Sequence, residues 1–115
     1  MAGRYDITLI QGDTFNLDFL VRDKVTGVGL DLSTHSAVLT VKPDYNSAAI
    51  LTLTSDDGEI TLDGDGNVSC EGSPALTAAM PTGRHVWDVE LRSADDVDVF
   101  KPLAGKFKVK PEVSA

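Results

Sequence analysis

The chain reads as an all-β fold, a sandwich or barrel of short antiparallel strands with one short helical crossover. Three observations predict it. Apolar residues recur with period two, most clearly at Phe15, Leu17, Phe19 and Val21 and again at His85, Trp87, Val89 and Leu91, as expected of strands buried on one face. Groups rich in Gly, Asp and Asn, such as Gln11-Gly12-Asp13 and Asp63-Gly64-Asp65-Gly66, separate the runs and supply the backbone angles that turns require. Only Pro74 to Met80 carries both start and stop signals for a helix.

Taken in order, Tyr5, Ile7 and Leu9 alternate with Asp6 and Thr8 and form a first strand ended by Gln11-Gly12-Asp13. The run from Phe15 to Val21 is a second, with Leu20 breaking its alternation, and a turn is expected over Asp23 to Gly27. Leu30-Asp31-Leu32 reads as a short extended piece. Residues 36 to 42 form a third strand, ended by Pro43, which has no N–H for a central ladder. Ile50, Leu51 and Leu53 form a fourth, and residues 60 to 62 and 67 to 70 pair as a hairpin around Asp63 to Gly66. Ser73 caps the helix, Pro74 suits its first position, and Pro81 and Gly83 stop it. Such a helix is too short to stand alone, so it is expected to pack between sheets with Leu76 and Met80 facing the core. A long strand over 84 to 93 follows, with Val86 as its exception. A turn at Ser93 to Asp96, a returning strand at Val97 to Phe100 and a closing run through Phe107 and Val109 complete the fold.

The 115 residues suit one domain, 1 to 115, with a single core. Only seven are aromatic, so that core should be rich in Val, Leu and Ile. The formal charge of −8 opposes both nucleic-acid and anionic-membrane partners. Residues 1 to 100 hold six cations against seventeen acids, whereas residues 101 to 115 hold four lysines against Glu112. Cys70 is alone, which excludes an intramolecular disulfide, and it is expected to be a small buried or half-buried residue. The chain contains no run of 18 apolar residues and opens without the apolar segment of a signal peptide. Synthesis in a cytosol is therefore expected, and the sequon at Asn67-Val68-Ser69 carries little meaning.

Patterns that could support chemistry are sparse. Asp63, Asp65 and Asn67 imitate the first three ligands of a calcium loop, but Val68 and Pro74 stand where glycine and a bidentate glutamate belong; a hairpin turn explains the segment better. His35 and His85 lie fifty residues apart and would need a tertiary coincidence to share a metal. Neither a nucleophile elbow nor a phosphate-binding glycine loop is present, and the acidic runs at Asp56-Asp57 and Asp95-Asp96 lie in turn-like, solvated surroundings. The expectation is a protein that is not an enzyme and uses no cofactor.

A set of short motifs adds to this reading. Ile10-Gln11-Gly12-Asp13-Thr14-Phe15, Leu30-Asp31-Leu32-Ser33, Leu76 to Gly83, Val86-Trp87-Asp88-Val89-Glu90-Leu91 and Gly105 to Val109 occur in this order. In them the chain resembles the immunoglobulin-like N-terminal domain of the phage baseplate upper protein family and its free-standing relatives. The resemblance implies an immunoglobulin-like antiparallel β-sandwich whose Leu-Thr-x-x-x-Pro-x-Gly stretch is the crossover between sheets. It also implies a structural protein of a tailed-phage virion, made in the host cytoplasm, with phage structural proteins as partners. The sequence ends at Ala115 without a fibre shaft or second domain, which favours a capsid decoration or cement protein, bound to the major capsid protein, over a baseplate or tail adaptor. Homo-oligomers would fit either role.

Candidate interaction residues are Arg4 and Tyr5, expected on an N-terminal arm, and Lys106, Lys108 and Lys110, expected on one wet strand face that discourages edge pairing. A glycan-binding module is the alternative outside the virion. Its platforms would be Trp87, Tyr5 and Tyr45; Trp87 fits the core better, so Tyr45 is the residue whose exposure would favour sugar contact.

Overall fold

The computed structural model describes residues 3–22, 25–95 and 99–112. Its strands, in chain order, are β1 (Gly3–Arg4), β2 (Ile7–Ile10), β3 (Phe15–Leu20), β4 (Ser36–Lys42), β5 (Leu51–Thr54), β6 (Ile60–Leu62), β7 (Asn67–Gly72), β8 (Gly83–Arg92) and β9 (Val99–Lys110), and one helix, α1 (Pro74–Ala78), lies between β7 and β8. Two sheets form a sandwich. The larger runs β1-β9-β8-β4-β5 with β2 also on β9, and the smaller runs β3-β7-β6. The division of β3, β7 and β6 from β4, β8 and β9 is the strand partition of an immunoglobulin-type sandwich.

Alternation explains the packing. Leu39 and Val41 of β4, Val89 and Leu91 of β8, and Phe107 and Val109 of β9 are buried and face Phe15, Leu17, Val68 and Cys70 of the smaller sheet. The Phe15 and Phe107 rings bridge the layers with centroids 5.6 Å apart. The two residues that break the alternation, Leu20 and Val86, stand on the outer faces, where Leu20 is exposed and Val86 half-buried.

Three expectations need correction. The fold is not wholly antiparallel: β1 and β2 run parallel to β9. A parallel pair needs a long connection, and here almost the whole chain supplies it. The first strand is interrupted at Tyr5-Asp6, and the Asp6 carboxylate accepts from the backbone N–H of Lys106 at 3.0 Å in place of a strand carbonyl. The last two expected strands are one, β9, whose Pro102 lies at a register shift opposite the Val89–Leu91 stretch of β8; a bulge absorbs the missing donor. The piece from Leu30 to Leu32 belongs to no named strand; Leu32 is fully buried and its N–H donates to Asp63 O at 3.0 Å, tying that segment to the hairpin turn. The turn expected over Asp23 to Gly27 falls partly outside the described residues, as do Asp96 and the start of the Val97 to Phe100 strand.

The helix does connect the two sheets, but it packs through different residues than expected. Ser73 Oγ accepts the Leu76 N–H at 3.3 Å as an N-cap. Met80 is buried, whereas Leu76 is exposed and Thr77 is fully buried in its place. The Thr77 hydroxyl accepts the Gly12 N–H at 3.1 Å and donates to Asp13 O at 2.7 Å, and Gln11 Nε2 donates to Met80 O at 2.7 Å. The first and third resemblance motifs therefore meet in space as one polar junction that fixes the helix against the β2–β3 turn.

Candidate interaction surface

The three lysines of β9 alternate with buried Phe107 and Val109, so all point away from the core. They do not guard an edge, because β9 is bonded to β8 on one side and to β1 and β2 on the other. Register then adds a residue that sequence reasoning missed: Arg84 of β8 lies opposite Lys108, and Thr8 of β2 lies on its other side. Arg84 shares the outward parity of Asp88 and Glu90, and that parity was the signal that could have revealed it. Arg84, Lys106 and Lys108 line a shallow recess of about 180 Å³ with Asp6, Ile7 and Thr8. Lys110 continues the basic stripe beside Ile10.

Arg4 and Tyr5 are not a free arm. Arg4 pairs with Ala104 in the sheet, and its guanidinium lies 3.4 Å from the Asp6 carboxylate, with both side chains exposed. The Lys106 amide, together with Arg4, holds the Asp6 carboxyl below the ordinary range. The Tyr5 N–H donates to Ala104 O at 3.0 Å, and Tyr5 O accepts the indole N–H of buried Trp87 at 2.8 Å. Gly105 makes this possible, since a Cβ there would collide with the Tyr5 carbonyl. The Trp87 indole is therefore an anchor for the N-terminal segment, and the Tyr5 ring stays half exposed at 51%.

Tyr45 is 81% exposed in the β4–β5 loop. It borders a second recess of about 250 Å³ on the same sheet face, with Lys42, Asp88, Glu90 and Lys101. Burial pushes the Asp88 carboxyl up, opposed by the charge of Lys101. Glu90 accepts from Arg92 at 2.7 Å and lies 3.9 Å from Lys101 Nζ. The larger sheet thus presents a basic end and a mixed-charge end, with Tyr45 at the latter.

Asp63, Asp65 and Asn67 come together as a turn. Asp63 Oδ1 accepts the N–H groups of Asp65 and Asn67 at 2.8 and 3.0 Å, and its Oδ2 accepts from Asn67 Nδ2 at 3.0 Å. Those donors, the Asn67 side chain first, lower the Asp63 pKa. Asn67 presents its amide nitrogen, not its oxygen, to this carboxylate, and Gly66 at φ 89° closes the loop. His85 is buried with Nε2 2.8 Å from Pro81 O; the carbonyl only accepts, so Nε2 carries the proton. Among the described residues, no three His, Cys, Asp or Glu side chains cluster as a metal site.

No family model matches the chain, and no curated protein matches it. Among solved structures, the chain is similar to a family 123 glycoside hydrolase from Clostridium perfringens, studied for glycolipid glycan hydrolysis, at 8% identity and a TM-score of 0.44. That alignment covers 97% of this chain and 24% of the hydrolase, so the chain spans about a quarter of that protein.

Proposed function

We propose that this chain is a non-enzymatic structural protein of a tailed-phage virion, a decoration or cement protein that docks on repeated capsid sites through the outer face of its larger sheet. The observation that supports the reading is the basic stripe of Arg84, Lys106, Lys108 and Lys110 on a chain of net charge −8. Like charges directly opposite each other, as Arg84 and Lys108 are, destabilise a sheet, and no edge needs protection there. An acidic partner surface would relieve that repulsion. Weak contacts of this kind are multiplied when a capsid lattice repeats them. The meeting of the resemblance motifs at Thr77 also supports the reading, because it makes them parts of one tertiary unit rather than scattered matches. A baseplate or tail adaptor would use the same face, and one fold hosts both roles.

The test is co-sedimentation of the purified protein with capsids and, separately, with tails of the parent phage. Saturable binding to capsids that falls with salt, and that is lost in the K106Q/K108Q/K110Q variant, is the expected result. Binding only to tails selects the adaptor role. Binding to neither overturns the virion reading. Tyr45 favours one second reading, a glycan-binding module, since an exposed ring beside Asp88 and Glu90 offers both stacking and hydrogen bonding to a sugar. A glycan array on which the unmodified chain binds no sugar would eliminate it, and one on which Y45A binds as well as the unmodified chain would remove Tyr45 from the site.

A further inference from the structure

We propose that the free edge of β3 is a self-pairing site, through which two copies join antiparallel about a two-fold axis at Leu17. The two three-stranded sheets then become one of six strands. The inference does not rest on the virion reading.

Among the described residues β3 bonds only to β7, so its other edge is open there. A recess of about 410 Å³ runs beside it, between Asn16 and Leu17 of β3 and Thr8 and Ile10 of β2. Which backbone groups point outward follows from the ladder. The Val21 N–H donates to Gly66 O on β7, so the odd-numbered residues of β3 bond to β7 and those of Asn16, Asp18 and Leu20 face the open edge. The same phase holds on the far side of β7, where the N–H groups of Glu71 and Asp63 make the β6–β7 bonds to Glu59 O and Asn67 O.

Proteins usually guard such edges with Lys, Pro, bulges or shortness. β3 has six residues against four in β2 and β5 and three in β6. It contains neither Lys nor Pro, and its register with β7 is unbroken. What marks a second copy as the occupant is the order Phe15-Asn16-Leu17-Asp18-Phe19, which is self-complementary about Leu17. In that register Asn16 faces Asp18 of the other copy, so an amide donor meets a carboxylate acceptor on the wet side. On the core side Phe15 faces Phe19 and Leu17 faces Leu17. Asn16 to Asp18 and Thr14 to Leu20 are then narrow pairs, which gives about eight backbone hydrogen bonds. A register centred on Asp18 instead sets two carboxylates opposite each other, and like charges there are destabilising.

Sedimentation equilibrium of the full chain, N16D and the swap N16D/D18N tests this, with melting curves confirming that each variant folds. Both residues are exposed, and an Asn at 18 still accepts from the Ser69 hydroxyl that donates to Asp18 at 2.6 Å. The full chain should dimerise. N16D, which faces carboxylate with carboxylate, should raise the dimer Kd at least about ten-fold, and the swap should restore it to within about three-fold. Salt should tighten the dimer, because each copy carries a net charge of −8. A monomer at about millimolar concentration, N16D dimerising as well as the unmodified chain, or a dimer weakened by salt and by the lysine substitutions would each overturn the proposal.

Discussion

Replacing Thr77 by Val keeps the shape of a fully buried side chain and deletes the hydroxyl that joins α1 to the β2–β3 turn. Two groups lose their partner: the half-buried Gly12 N–H and the Asp13 carbonyl. Leaving the half-buried Gly12 N–H unpaired costs about 1–2 kcal/mol, and the carbonyl of exposed Asp13, which water can reach, under about 1 kcal/mol, so the loss is about 2 kcal/mol together. At this length that corresponds to a fall in Tm of about 8 °C. Thr77→Ser supplies the contrast, since it keeps the hydroxyl and loses one buried methyl, a cost of about 1 kcal/mol. Urea unfolding followed by the fluorescence of Trp87, the single and buried tryptophan, reads both variants, and an unchanged m-value shows that stability alone moved. A T77V protein as stable as T77S would refute the assignment of a structural hydrogen-bond junction, because an apolar site prefers Val to Ser.

Three further outcomes follow from particular contacts. Gly105→Ala should destabilise by about 2–3 kcal/mol in urea melts, because the new Cβ collides with the Tyr5 carbonyl; a loss under about 0.5 kcal/mol would show that the N-terminal segment yields freely. Cys70 is fully buried, and burial, with the Asp18 charge adding, pushes its thiol up to about 12. A disulfide reagent at about pH 8 should therefore label it no faster than the chain unfolds, and rapid labelling of the folded protein would contradict that placement. For Asp88 the raised carboxyl pKa means that the native form binds the proton more tightly than the unfolded chain does. Its contribution is most favourable below the unfolded pKa and is lost as pH rises through the folded one. Asp88→Asn should accordingly raise Tm at neutral pH and lose that gain on acidification; a gain that persists at about pH 3 would point to some other cause.

Most strands were legible because each is buried on one face, and a period of two survives in the sequence wherever that holds. Residues 36 to 42 and 60 to 62 match β4 and β6 residue for residue. Thr77 was missed because nothing in a short helical run reveals that its hydroxyl, and not Leu76, meets the partners brought by residues 12 and 13. Arg84 was missed for a related reason: a cation gains meaning as a stripe only when register sets it against Lys108. The arm expected at Arg4 and Tyr5 was a docked segment, because the indole that holds it lies 82 residues away.

By itself the sequence determined the fold class, the turns at residues 11–13 and 63–66, the core position of Trp87, and the outward face of the three lysines. All of these follow from local periodicity and from the backbone preferences of Gly, Pro, Asp and Asn. Only the tertiary structure decided that β9 is an interior strand, that β2 runs parallel to it, and that β3 is left with an open edge. Strand order and direction arise from contacts between residues distant in the chain, and a period of two names the buried face of a strand without naming its neighbour.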